Sequence, residues 1–193
     1  MSSNGLARPP EPTLGQICDL AKLGEESKKL LGDQRTARQF LDLLIERQLF
    51  ADAIRLTAFL LPKRESVGWG CLCVRHILGT PAGGRLPDVH LAAEKWVSSP
   101  NEEDRCAASE SASREEKKGP SALLALAAFF SGGSMAPPNV QAVPPPDHLT
   151  AEMVAGAVIL SGVVSEPEKA ADKYRVFMQK GLALLARVQQ STQ

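Results

Sequence analysis

The sequence predicts an all-α protein: a single-domain helical bundle, or a short α-solenoid-like array, of about eight to ten helices with a proline-rich crossing loop. Three observations predict this class. Four residue pairs have the spacing of a capping box, which starts helices. No stretch alternates apolar and polar residues with β-branched enrichment, so strands are not required. Aromatic residues make up only 5% of the chain, whereas alanine and leucine are abundant, which suits helices packed through small and aliphatic side chains.

The capping-box pairs mark individual helix starts. The first hydroxyl accepts a hydrogen bond from the backbone N–H three residues on, and the side-chain oxygen of the Glu or Gln there accepts one from the backbone N–H of the first residue. The pairs are Thr13 with Gln16, Thr36 with Gln39, Ser99 with Glu102 and Ser165 with Glu168. Prolines and glycines at the boundaries, among them Gly32, Pro62, Pro87, Pro100, Pro120 and Pro167, separate the helices. These signals place helices near 14–22, 25–31, 36–48, 50–61, 62–78, 88–98, 100–117, 120–130, 150–164 and 166–189.

The domain organisation follows from length and composition. With 193 residues, we expect one helical domain over 13–189, a disordered tail over 1–12 and a short tail over 190–193. Lysine plus arginine and aspartate plus glutamate number 22 each, so no global field favours nucleic acid. The N-terminus lacks the apolar core of a signal peptide, and the apolar runs over 122–130 and 153–164 are shorter than a membrane span. We therefore expect a cytoplasmic protein with no membrane insertion.

Two loops interrupt the helical pattern. Residues 79–87 are rich in glycine and proline and follow the central predicted helix. Residues 131–149 form a longer proline-rich loop that includes Pro137, Pro138, Pro144 and Pro145. Such a segment is either a crossing packed over the helices or a recognition segment, and we favour the packed crossing. Asp147 and His148 precede Thr150 and are expected to shape the start of the next helix.

Rare residue types concentrate between positions 60 and 76. Cys71 and Cys73 lie two residues apart, so on a helix they point in nearly opposite directions and cannot share a metal ion. A nucleophilic site would instead pair Cys73 with His76, but no oxyanion hole is evident. We therefore interpret both thiols as small core residues and expect no metal or cofactor. His90 and His148 are isolated and are interpreted as surface or local hydrogen-bonding residues.

A structural role explains most of this central segment. Trp69 is predicted to anchor the core. Gly68 and Gly70 indicate that a neighbouring backbone or a bulky ring approaches closely, since glycine otherwise weakens a helix. Arg64 and Arg75 are predicted to cap or ion-pair with neighbouring helices or with the proline-rich loop.

Several phrases together resemble a known family. The first is Leu61 to Glu65, followed by Trp69 and by Cys71 to Arg75. The second is Ala93 to Val97, followed by Pro100. The third is Phe130 to Pro138, followed by Val143 to Pro146. In this order they resemble a family of uncharacterised bacterial all-helical proteins of about this length, a domain of unknown function. The resemblance implies one helical unit and an association with contractile (type VI) secretion or signalling modules. It assigns no activity and no catalytic residue.

We therefore predict a non-catalytic accessory or adaptor protein that binds another protein. The alternative is a small-molecule-binding or enzymatic helical domain with a pocket at Glu65, Trp69, Cys73 and His76. The surface expected for the adaptor combines the loop over 79–87, the proline-rich segment over 131–148 and the stripe of Arg64 and Arg75. Taken together, the predicted binding residues of the two hypotheses are Arg64, Glu65, Trp69, Cys73, Arg75, His76, Pro137, Pro138, Pro144 and Pro145.

Overall fold

The computed structural model describes residues 12–32, 35–79, 86–137 and 139–191. Within these ranges the chain forms helices and no strands, which confirms the all-α prediction. The helices are α1 (Leu14–Leu20), α2 (Glu25–Leu30), α3 (Ala37–Glu46), α4 (Phe50–Leu60), α5 (Lys63–Leu78), α6 (Asp88–Ser98), α7 (Glu102–Arg114), α8 (Pro120–Phe129), α9 (Leu149–Val163) and α10 (Ala170–Ser191). A single 3₁₀ turn over Pro167–Lys169 precedes α10.

Some of the predicted tails and loops lie partly outside the residues that the structure describes. Most of the predicted tail over 1–12, most of the loop over 79–87, and Pro138 lie outside the described residues. Helix α10 extends to Ser191, two residues past the predicted end of the domain. Helix α5 ends where predicted, because Gly79 adopts a φ of 59°, a left-handed conformation that glycine reaches without strain.

Two of the four predicted capping boxes are present. The hydroxyls of Thr13 and Thr36 each accept from the N–H three residues on, and the backbone N–H of each threonine donates to the side-chain oxygen of Gln16 or Gln39. The Ser99 prediction is wrong: Asn101 is the N-cap of α7 and accepts from the N–H of Asp104 at 2.8 Å. The Ser165 prediction is also wrong, because Glu166 takes a left-handed conformation (φ 44°, ψ 62°) and leads into the 3₁₀ turn without a side-chain cap.

Helices α5 and α9 form the centre of the molecule. On one side α9 packs against α4 and α10, and α4 also contacts α1 and α3. On the other side α5 and α9 pack against α8, and α6, α7 and α8 contact one another. Both central helices are therefore covered from two directions, which explains why their sequences are apolar almost all round.

Glycines allow the central helices to approach their neighbours closely. A Cβ added at Gly70 would overlap the side chain of Leu124 in α8, and one added at Gly68 would lie 3.2 Å from Val97 in α6. Gly162 in α9 likewise accommodates the ring of Tyr174. A close approach at Gly68 and Gly70 is confirmed, but the prediction of a backbone or a bulky ring is wrong, because the approaching groups are aliphatic side chains.

The apolar helices are short. Within the described residues no single helix combines the length and apolarity needed to cross a bilayer; α9 and the segment Pro167–Ser191 pass that test only as a pair bent by 116°.

Candidate functional site

Helix α5 carries six of the residues that the sequence singles out, and the structure distributes them over different surroundings. Trp69 and Cys73 are completely buried. The indole Nε1 of Trp69 donates a hydrogen bond to the carbonyl oxygen of Phe177 at 2.9 Å. Its ring lies over Gly181 of α10, where an added Cβ would come within 3.1 Å of indole atoms. The prediction of Trp69 as a core anchor is confirmed.

The thiols of α5 are poor nucleophiles. Burial raises the pKa of both thiols, Cys71 and Cys73, well above the usual value for a thiol. Proximity to Glu94 adds to the shift at Cys71. Because the thiolate is the reactive form, neither group is activated at neutral pH.

The other two residues of the predicted pocket lie apart from these. His76 is exposed and meets the ring of Phe177 edge-on, with centroids 6.2 Å apart. Glu65 is half-buried and lines a groove to which Trp69, Cys73 and His76 do not contribute. The four residues therefore do not line one common cavity.

That groove lies between α5, α6 and α10 and has a volume of about 430 Å³. We call it the α5–α6 groove. Its lining residues are Arg64, Glu65, Gly68, Cys71, Leu72, Glu94, Val97, Ser98 and Leu184. Leu72 stands out among them, because this large apolar side chain is 51% exposed.

The two arginines of α5 hold α6 in place beside the groove. Arg64 donates from Nε to the carbonyl of Val97 at 2.7 Å and from Nη2 to that of Ser98 at 3.2 Å, so it caps the C-terminus of α6. Arg75 makes a bidentate ion pair with Glu94, at 2.8 and 2.5 Å. The predicted capping and ion-pairing roles are confirmed.

A buried polar chain continues inward from this ion pair. The Nε2 of His90 lies 3.3 Å from Glu94 Oε1, without the geometry of a hydrogen bond, and its Nδ1 lies 3.2 Å from the hydroxyl of Ser121. Burial lowers the pKa of His90, and the charge of Glu94 opposes this only partly. Burial also acts to raise the pKa of Glu94, but the bonds from Arg75 and the proximity of His90 outweigh it and lower the pKa overall.

The order Ser–His–Glu has the composition of a catalytic triad, but its setting differs. Ser121 and His90 are both buried, and neither lines any of five well-formed cavities in the described part of the chain. A nucleophile needs space for substrate within reach of its oxygen. The row of polar side chains from Glu94 through His90 to Ser121 therefore acts as a polar link between α6 and α8. The sequence pattern did not predict the burial of His90, because this burial results from packing against α8, about thirty residues further along the chain.

The proline-rich segment packs onto α7. Arg105 is nearly buried; it is paired with Glu102 and donates to the carbonyls of Phe129 at 2.6 Å and Ser134 at 3.0 Å. The Ser134 hydroxyl accepts from the N–H groups of Ala136 and Val143, both at 3.0 Å, which closes the loop on itself. The segment is thus held to α7 through Ser134, whereas residues 139–144 are exposed, so the packed crossing stays a prediction.

The predicted prolines differ in exposure. Pro145 is buried, whereas Pro137 and Pro144 are exposed. Pro137 lines a groove of about 680 Å³ between this segment and α7, together with apolar neighbours such as Phe129, Met135 and Val140. Pro138 cannot be placed, since it lies outside the described residues.

No cluster of three or more histidine, cysteine, aspartate or glutamate side chains suited to a metal ion occurs in the described ranges.

Neither a search of curated proteins nor a search of solved structures found a matching protein. A comparison with protein families matches residues 40–185 to a family of unknown function, DUF6931. This match spans α4 to α9 completely, includes the groove, and covers most of α3 and α10. The chain therefore belongs to the DUF6931 family.

Proposed function

We propose that this protein is a non-catalytic accessory protein that binds a partner protein in the α5–α6 groove. The observation that carries the proposal is the exposure of Leu72. Its neighbours Cys71 and Cys73 are buried in the same helix, yet Leu72 leaves half of its surface in the groove. A large apolar side chain in a concave site is a typical anchor point for a partner.

The groove suits a short peptide helix. Its floor is apolar, with Leu72, Val97 and Leu184, and its ends are acidic, with Glu65 and Glu94. Glu94 is held by Arg75, whereas Glu65 has no ion-pair partner in the described part of the chain. The geometry therefore fits an amphipathic segment with an apolar side chain against Leu72 and a lysine or arginine beside Glu65.

The groove is also rigid. Arg64 and Arg75 fix α6 against α5 at both ends of the site. A preorganised site loses little conformational entropy on binding, which favours recognition of a defined segment. The non-catalytic part of the proposal is supported by the protonated, buried thiols of α5. On the family resemblance alone, we propose a partner from a contractile secretion or signalling module. From the sequence pattern we also propose a cytoplasmic location.

Site-specific photo-cross-linking tests the proposal. A photoreactive amino acid is placed at position 72 and, as a control, at position 164, where Val164 is 59% exposed on the far end of α9. In cells of the native host we expect position 72, but not position 164, to cross-link one defined partner segment. Equal cross-linking at both positions would contradict the proposal.

Direct binding of the identified segment then provides the quantitative test. We expect Leu72→Asp to weaken binding roughly tenfold or more, because a central apolar anchor contributes about 1–3 kcal/mol. Val164→Asp should bind as the wild type does. Both positions are exposed, so both variants should keep the wild-type circular dichroism spectrum and melting temperature within a few degrees. Unchanged affinity of a folded Leu72→Asp variant would refute the groove as the site.

A further inference from the structure

A second, smaller cavity lies where helices α4, α5 and α9 meet, separate from the α5–α6 groove. Its volume is about 200 Å³. The first turn of α5 contributes Pro62, Lys63 and Ser66, and the start of α9 contributes His148, Thr150 and Ala151. Two helix N-termini, of a 16-residue and a 15-residue helix, thus face one cavity.

Neither of these N-termini is capped by a side chain. The N-cap residue of α5 is Pro62 and that of α9 is His148, and neither makes a side-chain hydrogen bond to the helix. The expectation that Asp147 and His148 shape the start of α9 therefore does not extend to a side-chain cap. The first N–H groups of a helix carry partial positive charge and favour an anion when no cap occupies them.

The hydroxyl of Thr150 provides an independent observation. Thr150 is 1% exposed, and its Oγ1 has no hydrogen-bond partner among the described residues. A buried hydroxyl without a partner is costly, so an unpartnered one on a cavity wall indicates a ligand that the protein can bond. The neighbouring hydroxyl of Ser66 is already used, since it donates to the carbonyl of Ala58 at 3.0 Å.

The charges around the cavity are mixed. Lys63 lies at its edge and donates to the carboxylate of Asp147 at 3.0 Å, and the Asp147 side chain is fully exposed. Because an exposed ion pair contributes little to stability, Lys63 can exchange Asp147 for a ligand at low cost. The C-terminus of α4 opposes an anion, but the Ser66 hydroxyl already satisfies its Ala58 carbonyl.

We propose that this cavity binds a free tetrahedral oxyanion of the phosphate or sulfate class. The anion accepts hydrogen bonds from the hydroxyl of Thr150 and from the first-turn N–H groups of α5 and α9, and it pairs with Lys63. The cavity exceeds the roughly 30 Å³ that one water molecule takes up in the liquid, but it is small for a nucleotide. This site is independent of the proposed partner groove.

The test is a titration of the full-length protein with sodium phosphate, and separately with sodium sulfate, at constant ionic strength balanced with sodium chloride. We expect saturable shifts in the amide resonances of Arg64, Glu65, Thr150 and Ala151, and a rise in melting temperature with phosphate or sulfate. A response to only one of the two anions identifies the ligand. Shifts that are absent, or that chloride alone reproduces, would overturn the proposal.

Three variants sharpen this result. Thr150→Val keeps the shape of the side chain and removes the unpartnered hydroxyl, so it should fold at least as stably as the wild type without the anion. It should nevertheless bind the anion roughly tenfold more weakly, and Lys63→Met should weaken binding similarly. Asp147→Asn should tighten binding, because it removes the competing carboxylate. A Thr150→Val variant that binds like the wild type would refute the role of the hydroxyl and with it the site.

Discussion

Replacing Trp69 with alanine is the most informative perturbation of the fold. The indole ring is fully buried between α5 and α10, contacts the Gly181 backbone region, and donates its only N–H to the Phe177 carbonyl. Truncating a buried tryptophan to alanine costs about 3–5 kcal/mol, because apolar contacts are lost and a cavity remains. The lost hydrogen bond contributes about 1 kcal/mol of this effect. Against a total stability of about 5–15 kcal/mol, the loss is large.

Urea denaturation followed by circular dichroism measures this effect. With a slope of about 2 kcal/mol per molar urea, we expect the Trp69→Ala midpoint to fall by about 2 M. Trp69→Phe, which keeps most of the ring but loses the N–H, should cost less than half as much. Leu72→Ala in the same helix is the control for an exposed apolar residue and should stay within about 0.5 kcal/mol. A Trp69→Ala midpoint equal to that of the wild type would refute the role of the ring as the core anchor.

Three further predictions test packing, thiol exposure and pH dependence. Gly70→Ala should destabilise by about 1–3 kcal/mol because its Cβ meets Leu124, whereas Gly156→Ala, whose nearest neighbour would be 3.7 Å away, should gain up to about 1 kcal/mol in the same urea assay. Cys106 is the one cysteine that is not buried, so Cys106→Ser should remove the fast phase of reaction with a thiol reagent; a fast phase that persists would show that a core thiol is accessible. Burial lowers the pKa of His90, so the unfolded chain binds the proton more tightly and stability falls as pH drops from about 7.5 to 5.5, by at most about 1.4 kcal/mol per pH unit. His90→Gln should reduce this slope in denaturation experiments at several pH values, and an unchanged slope would contradict the role of His90.

Local signals in the sequence were sufficient to predict the start of a helix where a single residue caps it. Thr13 and Thr36 cap their helices as predicted, since no stronger cap competes nearby. Ser99 fails because Asn101, two residues later, accepts from the helix instead. Ser165 fails because Glu166 turns the chain into a left-handed conformation before Pro167. A spacing rule identifies candidates for a cap, but competition between neighbouring candidates depends on the path of the incoming backbone.

The site was predictable only in part. The helical pattern correctly gave α5 a buried Trp69 and two arginines directed at neighbouring helices. It also grouped Glu65 with Trp69, yet these residues face different surroundings, because α10 covers the indole from a hundred residues further along the chain. Periodicity places residues on a face of one helix, whereas the partner helices decide which part of that face is core and which part is groove.

The two proposed sites use different faces of α5, since Lys63 and Ser66 line the cavity whereas Arg64 and Glu65 line the groove. Lys63, in the first turn, faces the oxyanion cavity, while Leu72 lies in the α5–α6 groove nine residues later. At 1.5 Å per residue, this places the backbones of Lys63 and Leu72 about 13.5 Å apart along the helix. Leu72 does not line the cavity and Thr150 does not line the groove, and substitutions at distant positions without a shared contact act independently to within about 0.5 kcal/mol. Leu72→Asp should therefore leave phosphate binding unchanged, and Thr150→Val should leave partner binding unchanged. If either substitution alters the other site, the two sites are coupled through α5, and the rigid helix inferred from the Arg64 and Arg75 contacts is the element to re-examine.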